Sequence, residues 1–79
     1  MTDLNILIVD DDRTLCETIQ MDLQRHGYSV IWTTSGDEAL GIIEKDDFDC
    51  ALVDLILEDI DGIELCKRIV ENRPDVPVI

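Results

Sequence analysis

Three carboxylates in a row, Asp10-Asp11-Asp12, directly follow the apolar run Ile6-Leu7-Ile8-Val9, and another acid, Asp54, directly follows Cys50-Ala51-Leu52-Val53. Oxygen donors with no His or Cys beside them select a hard cation, and Mg2+ takes one or two carboxylates together with waters and a phosphate oxygen. A carboxylate is also a nucleophile toward phosphorus and forms an acyl phosphate, provided that a cation offsets its repulsion from an anionic phosphoryl group. Asp12 has a plainer role open to it, because an acid after a strand is a common helix N-cap. Cys16, Cys50 and Cys66 are widely spaced with no C-x-x-C pair, and His26 is the single histidine. No zinc pattern results, and the cysteines read as reduced, packed thiols.

These acids matter together only if the elements before them end at one edge. Leu4 and Ile6 to Val9 form the near-continuous apolar run of a strand covered on both faces. From Arg13 to His26 the residues Leu15, Cys16, Ile19 and Leu23 recur at helical spacing, with Asp11 or Asp12 to cap the start and Gly27 to supply the left-handed stop. Tyr28 to Thr33 predicts a second strand. Ser35 and Glu38 then stand at capping-box spacing before Ala39, Leu40, Ile42 and Ile43, a helix that ends in the acidic turn Asp46-Asp47. Cys50 to Val53 predicts the third strand and Leu55 to Gly62 a loop. Ile63, Leu65, Cys66, Ile69 and Val70 mark a third helix halted by Asn72-Arg73-Pro74, and Val76-Pro77-Val78-Ile79 begins a fourth strand. This alternation predicts βαβ units with right-handed crossovers and a parallel sheet. Ligands of such sheets bind outside the carboxyl ends of the strands, at the switch point. With the strand order 2-1-3, Asp10, Asp11 and Asp54 are expected to converge there within a few ångströms.

The chain of 79 residues, 46% hydrophobic and 32% charged, makes one small globular domain near the lower limit of independent stability, which excludes a multi-domain enzyme. Nineteen acidic residues against six basic ones give a net charge of -13, which argues against nucleic acid or an anionic membrane as a partner of this segment. Met1 to Asn5 carries no basic leader, and no apolar run approaches the ~18 residues of a membrane span, so a cytoplasmic location is expected. Trp32 and Tyr28 read as packing residues, and His26 as a partner of the preceding helix C-terminus.

The sequence resembles the CheY-like receiver domains of two-component response regulators, which have the flavodoxin-like fold. The resemblance rests on Ile8-Val9-Asp10-Asp11-Asp12, on Ala51-Leu52-Val53-Asp54-Leu55, and on Asp59-Ile60-Asp61-Gly62-Ile63-Glu64-Leu65, and it runs through the whole chain. It implies that Asp54 is the phosphoacceptor, that Asp10 and Asp11 with Asp54 bind Mg2+, and that the backbone carbonyl of Ile56 is a further metal ligand. It implies a sensor histidine kinase or phosphotransfer protein as partner, the kinase docking on the first helix near Thr14 and Leu15, and a signalling acceptor rather than an enzyme. Complete members have five strands in the order 2-1-3-4-5, with a Ser or Thr ending the fourth and a Lys ending the fifth. This chain stops just short of that Ser or Thr. The expectation is therefore a single partial domain over residues 1–79, a doubly wound α/β sheet of order 2-1-3-4 lacking the fifth strand and the last two helices. Glu58 stands where the family usually carries a proline, which is expected to leave the loop more mobile.

Other readings compete. Asp10 to Leu15 also fits the D-x-D-x-T-[VL] pattern of the haloacid dehalogenase superfamily, but that pattern gives no reason for Asp54 or for Asp61-Gly62. An EF-hand around Asp59 and Asp61 fails, because its twelfth position would be Arg68. The main rival is a truncated receiver without phosphotransfer, a structural or interaction module or a fragment. Its open Val76–Ile79 edge is expected to favour a homo-oligomer.

Overall fold

The structure, a computed structural model, describes residues 4–54, 56–57 and 59–79. The loop expectation at Glu58 lies outside the described residues. The elements run β1 (Asn5–Val9), α1 (Arg13–Arg25), β2 (Ser29–Thr33), α2 (Gly36–Lys45), β3 (Cys50–Val53) and α3 (Gly62–Asn72). The strands are parallel in the order β2-β1-β3.

Strand alternation assigns each residue of β1 to one of two cores. Ile6 and Ile8 pack with Val30, with Cys16 of α1 and, more peripherally, with Ile19 and Leu23 of the same helix. Leu7 and Val9 face the other way, into a core built with Ala39 and Ile43 of α2, Leu65 and Ile69 of α3, and Phe48, Ala51 and Val76. The sheet is thus wound on both faces, with α1 on one and α2 and α3 on the other. That is why β1 reads as a continuous apolar run.

The helix ends explain most boundaries. Asp12 caps α1, its Oδ1 accepting from the Leu15 N–H at 3.0 Å. At the other end Gly27 has φ 91°, and the N–H groups of Gly27 and Tyr28 donate to the carbonyls of Gln24 and Leu23, both at 3.1 Å. This is a Schellman closure, with Tyr28 and Leu23 meeting in the same core. It consumes the Tyr28 N–H, so β2 begins at Ser29 and not at Tyr28. His26 contacts the helix end as expected, its Nδ1 lying 2.8 Å from the Asp22 carbonyl oxygen. Trp32 joins β2 to α1, donating from Nε1 to Gln20 Oε1 at 3.0 Å beneath the Arg13 guanidinium, 5.4 Å from the ring centre.

Ser35 caps α2 through the Glu38 N–H (3.2 Å), but the capping box is only half formed, because the Ser35 N–H donates to Thr33 Oγ1 at 3.1 Å. Arg73 ties the C-terminal ends of α2 and α3 together, donating to the Asp46 carbonyl at 3.1 Å and pairing with Asp47 at 3.0 Å. The Val76–Ile79 segment lies along the free edge of β3, in the position expected of a fourth strand. It forms a single parallel bridge, Ala51 to Val78, with hydrogen bonds of 2.8–3.0 Å joining Ala51 and Val53 to Pro77 and Ile79. Pro77 has no N–H to donate, which limits the ladder here. Among the described residues no helix is long and apolar enough to cross a membrane.

Candidate functional site

Val9 and Val53 are register partners, so Asp10 and Asp54 leave neighbouring strands side by side, roughly 5 Å apart along the hydrogen-bonding direction. The backbone secures both. The Asp54 N–H donates to the Val9 carbonyl at 2.8 Å, and the Asp10 N–H to the Thr33 carbonyl at 3.2 Å. Each carboxylate then turns its own loop. Asp10 Oδ1 accepts the Asp12 N–H at 2.9 Å, and Asp54 Oδ1 accepts the Ile56 N–H at 3.1 Å. Asp11 is exposed, and the side chain of Ile56 is 79% exposed.

The strand ends converge as expected, and each of Asp10 and Asp54 is engaged within its own loop. Among the described residues, no three His, Cys, Asp or Glu side chains form a group that could hold a metal ion. Asp10 and Asp54 bend back onto N–H groups of their own loops, while Asp11 is exposed. Mg2+ needs only one or two carboxylates beside water, so this oxygen-only donor set fits such a cation without a closed protein cage.

Among the described residues no cationic side chain is paired with these acids. The ion pairs join Arg68 to Glu64 on α3 and Arg73 to Asp47 and Asp75. Beneath it, the Cys16 thiol donates to the Asp10 carbonyl at 3.5 Å. Burial, and then the charges of Asp10 and Asp12, push that thiol up, so Cys16 is a neutral packing group rather than a nucleophile. Asp12, the plainest of the acids, is a cap. Asp12→Ala is expected to cost roughly 1 kcal/mol in urea denaturation and to leave Mg2+ affinity unchanged.

Sequence reasoning gave Asp59 no role of its own. Its carboxylate accepts from the Gly36 N–H (3.0 Å), the Asp37 N–H (3.1 Å) and the Ser35 hydroxyl (2.9 Å), docking the β3–α3 loop on the N-terminus of α2. These donors, the Asp37 and Gly36 N–H groups first, lower its pKa from 3.8 to about 2. A depressed carboxylate stabilises the fold above its unfolded value, so this contribution is whole above pH 3.8 and fades as pH falls through about 2. No local spacing links residue 59 to residues 35–37, which is why the contact is invisible in the sequence.

The family described as response regulator receiver domain matches residues 6–79. The response regulator MprA of Mycolicibacterium vanbaalenii is 36% identical over 96% of this chain, which spans 33% of that protein's length. A CheY-like receiver domain from Methanospirillum hungatei superposes with a TM-score of 0.95 at 34% identity, over 98% of this chain and 62% of its own. A response regulator from Burkholderia pseudomallei, solved with a phosphorylated aspartic acid and a calcium ion, is 32% identical with a TM-score of 0.90, over 96% of this chain and 45% of its own. TrrA of Thermotoga maritima, 28% identical with a TM-score of 0.88 over 95% of this chain and 65% of its own, has been solved with Mg2+ and BeF and also with the histidine kinase ThkA.

Proposed function

Because the chain belongs to the response regulator receiver domain family, we propose that Asp54 accepts a phosphoryl group from a sensor histidine kinase, a phosphotransfer protein or a small phosphodonor. The observation that carries this reading is the placement of Asp54 and Asp10 at in-register ends of adjacent parallel strands. The phosphorylated aspartic acid of the Burkholderia relative supports it.

Asp54 Oδ1 is engaged by the Ile56 N–H, which orients Oδ2 as the attacking atom. An O–P bond forms as the P–N bond of a phosphohistidine, or the P–O bond of a small acyl phosphate, breaks. The donor imidazole or carboxylate leaves with the electron pair. Asp10, Asp11, Asp54 and the Ile56 carbonyl would hold Mg2+, which when bound neutralises charge on the transferred oxygens. Asp10 is held ready by the Asp12 N–H. The product carries added negative charge and strong acceptor oxygens beside α1 and the β3–α3 loop, which is the means by which such a domain signals. The thiols of Cys16, Cys50 and Cys66 are all free, compatible with work in the cytoplasm.

Intact-mass measurement after incubation with a small phosphodonor tests the reading. A single phosphoryl adduct is expected with Mg2+ and none with EDTA. No adduct from a folded chain would favour a self-associating interaction module. In that case the Val76–Ile79 edge, where Ile79 is exposed, is where a second copy would pair.

A further inference from the structure

Between Asp54 and α3, Asp54 accepts the Ile56 N–H and Asp61 accepts the Ile63 N–H. Between these, Asp59 reaches across 22 to 24 residues of sequence to α2. The seat is close-fitting: a Cβ on Gly36 would collide with Ile60 Cγ2 and approach Asp59 Oδ1 to 3.3 Å. Ile60 itself packs against the core that holds Leu7 and Ile43. The α2 terminus is in turn bound to the strand edge. The Ser35 N–H donates to Thr33 Oγ1, and the Thr33 carbonyl accepts the Asp10 N–H. A continuous hydrogen-bonded path therefore runs from Asp10 through Thr33 and Ser35 to Asp59, joining the two loops that carry the site.

We propose that Asp59 is a positioning residue for the cation site, holding the loop that bears the Ile56 carbonyl in register with Asp54 and Asp10. The inference rests on the Mg2+ reading above and assigns a residue to its support. Mg2+ demands near-ideal octahedral geometry, so a loop free to drift loses its carbonyl as a ligand. Partners that hydrogen-bond a metal ligand directly carry about ten- to a hundredfold in affinity, and Asp59, which acts on the loop and not on a ligand, is expected at the low end of that range. The ionised state of Asp59 at neutral pH keeps all three donors engaged.

The test is a MgCl2 titration of the 15N-labelled chain, read from the amide resonances of Asp11 and Ile56, with circular dichroism to confirm folding. Asp59→Ala is expected to raise the half-saturating concentration about tenfold. Asp59→Asn, which keeps one acceptor oxygen, is expected to fall between Ala and wild type. Arg73→Ala loosens α2 and α3 at their far ends and should leave Mg2+ binding unchanged. Wild-type affinity in folded Asp59→Ala, or an equal loss in Arg73→Ala, overturns the inference alone. If Asp59→Ala does not fold, Asp59→Asn decides: weaker binding than wild type supports positioning, and equal binding refutes it. A wild-type chain with no saturable response overturns the Mg2+ reading and the inference together.

Discussion

Asp54→Asn is expected to abolish the phosphoryl adduct completely while leaving the domain folded. The Asn side chain keeps a carbonyl oxygen able to accept the Ile56 N–H, now held at 3.1 Å by Asp54 Oδ1, so the local turn survives. Its amide nitrogen has no lone pair available for attack on phosphorus, and no acyl phosphate can form. Asp10 and Asp11 do not replace the missing nucleophile. Asp10 follows a different strand and is turned toward the Asp12 N–H, and Asp11 is exposed. Intact mass with a small phosphodonor and Mg2+ reads the result directly. A residual adduct on Asp54→Asn at the wild-type level would move the acceptor to another acid, which peptide mapping would locate. The same variant should retain the wild-type urea midpoint, which separates lost chemistry from lost structure.

Leu7→Ala is expected to abolish most or all of the cooperative unfolding transition, shifting its urea midpoint to near zero. Leu7 is 0% exposed at the centre of the middle strand and belongs to the larger core, with side chains from α2 and α3 around it. Truncating a buried leucine costs about 2–5 kcal/mol, because the lost transfer energy is joined by the energy of the cavity left behind. A single core in a domain of this size rarely supplies more than about 3–5 kcal/mol in total. One substitution therefore costs an amount comparable to the whole stability, and the chain is largely unfolded before denaturant is added once that cost exceeds the stability. Met21→Ala, at a side chain 62% exposed on α1, is the matched control and should stay within about 0.5 kcal/mol of wild type. Urea denaturation followed by circular dichroism checks both variants. A cooperative transition in Leu7→Ala with a near-wild-type midpoint would show that the two-core arrangement around β1 is wrong.

Much of this was legible in the residues because the signals are local or periodic. The apolar run of β1, the helical spacing of Cys16, Ile19 and Leu23, the Asp12 and Ser35 caps and the Gly27 stop each depend on neighbours a few positions away, and each appears where expected. Boundaries slipped where one backbone group had two claimants. The Tyr28 N–H closes α1 instead of opening β2, and the Ser35 N–H goes to Thr33 rather than completing a capping box. The predicted fourth strand is reduced to a bridge because Pro77 cannot donate to the ladder.

By itself the sequence determined that acids follow two buried strands, that these strands alternate with helices, and that the charge balance is strongly negative. The tertiary structure set the register that places Asp10 and Asp54 side by side, and it decided that each of these carboxylates bonds to an N–H of its own loop. It also decided that Asp59 clasps α2 and that Arg73 joins the far ends of α2 and α3. The physical reason is range. Caps and periodic faces are set by bonds within a turn or two of chain, whereas a carboxylate that bonds 22 to 24 residues away finds its partners only after the sheet has brought two loops to one edge.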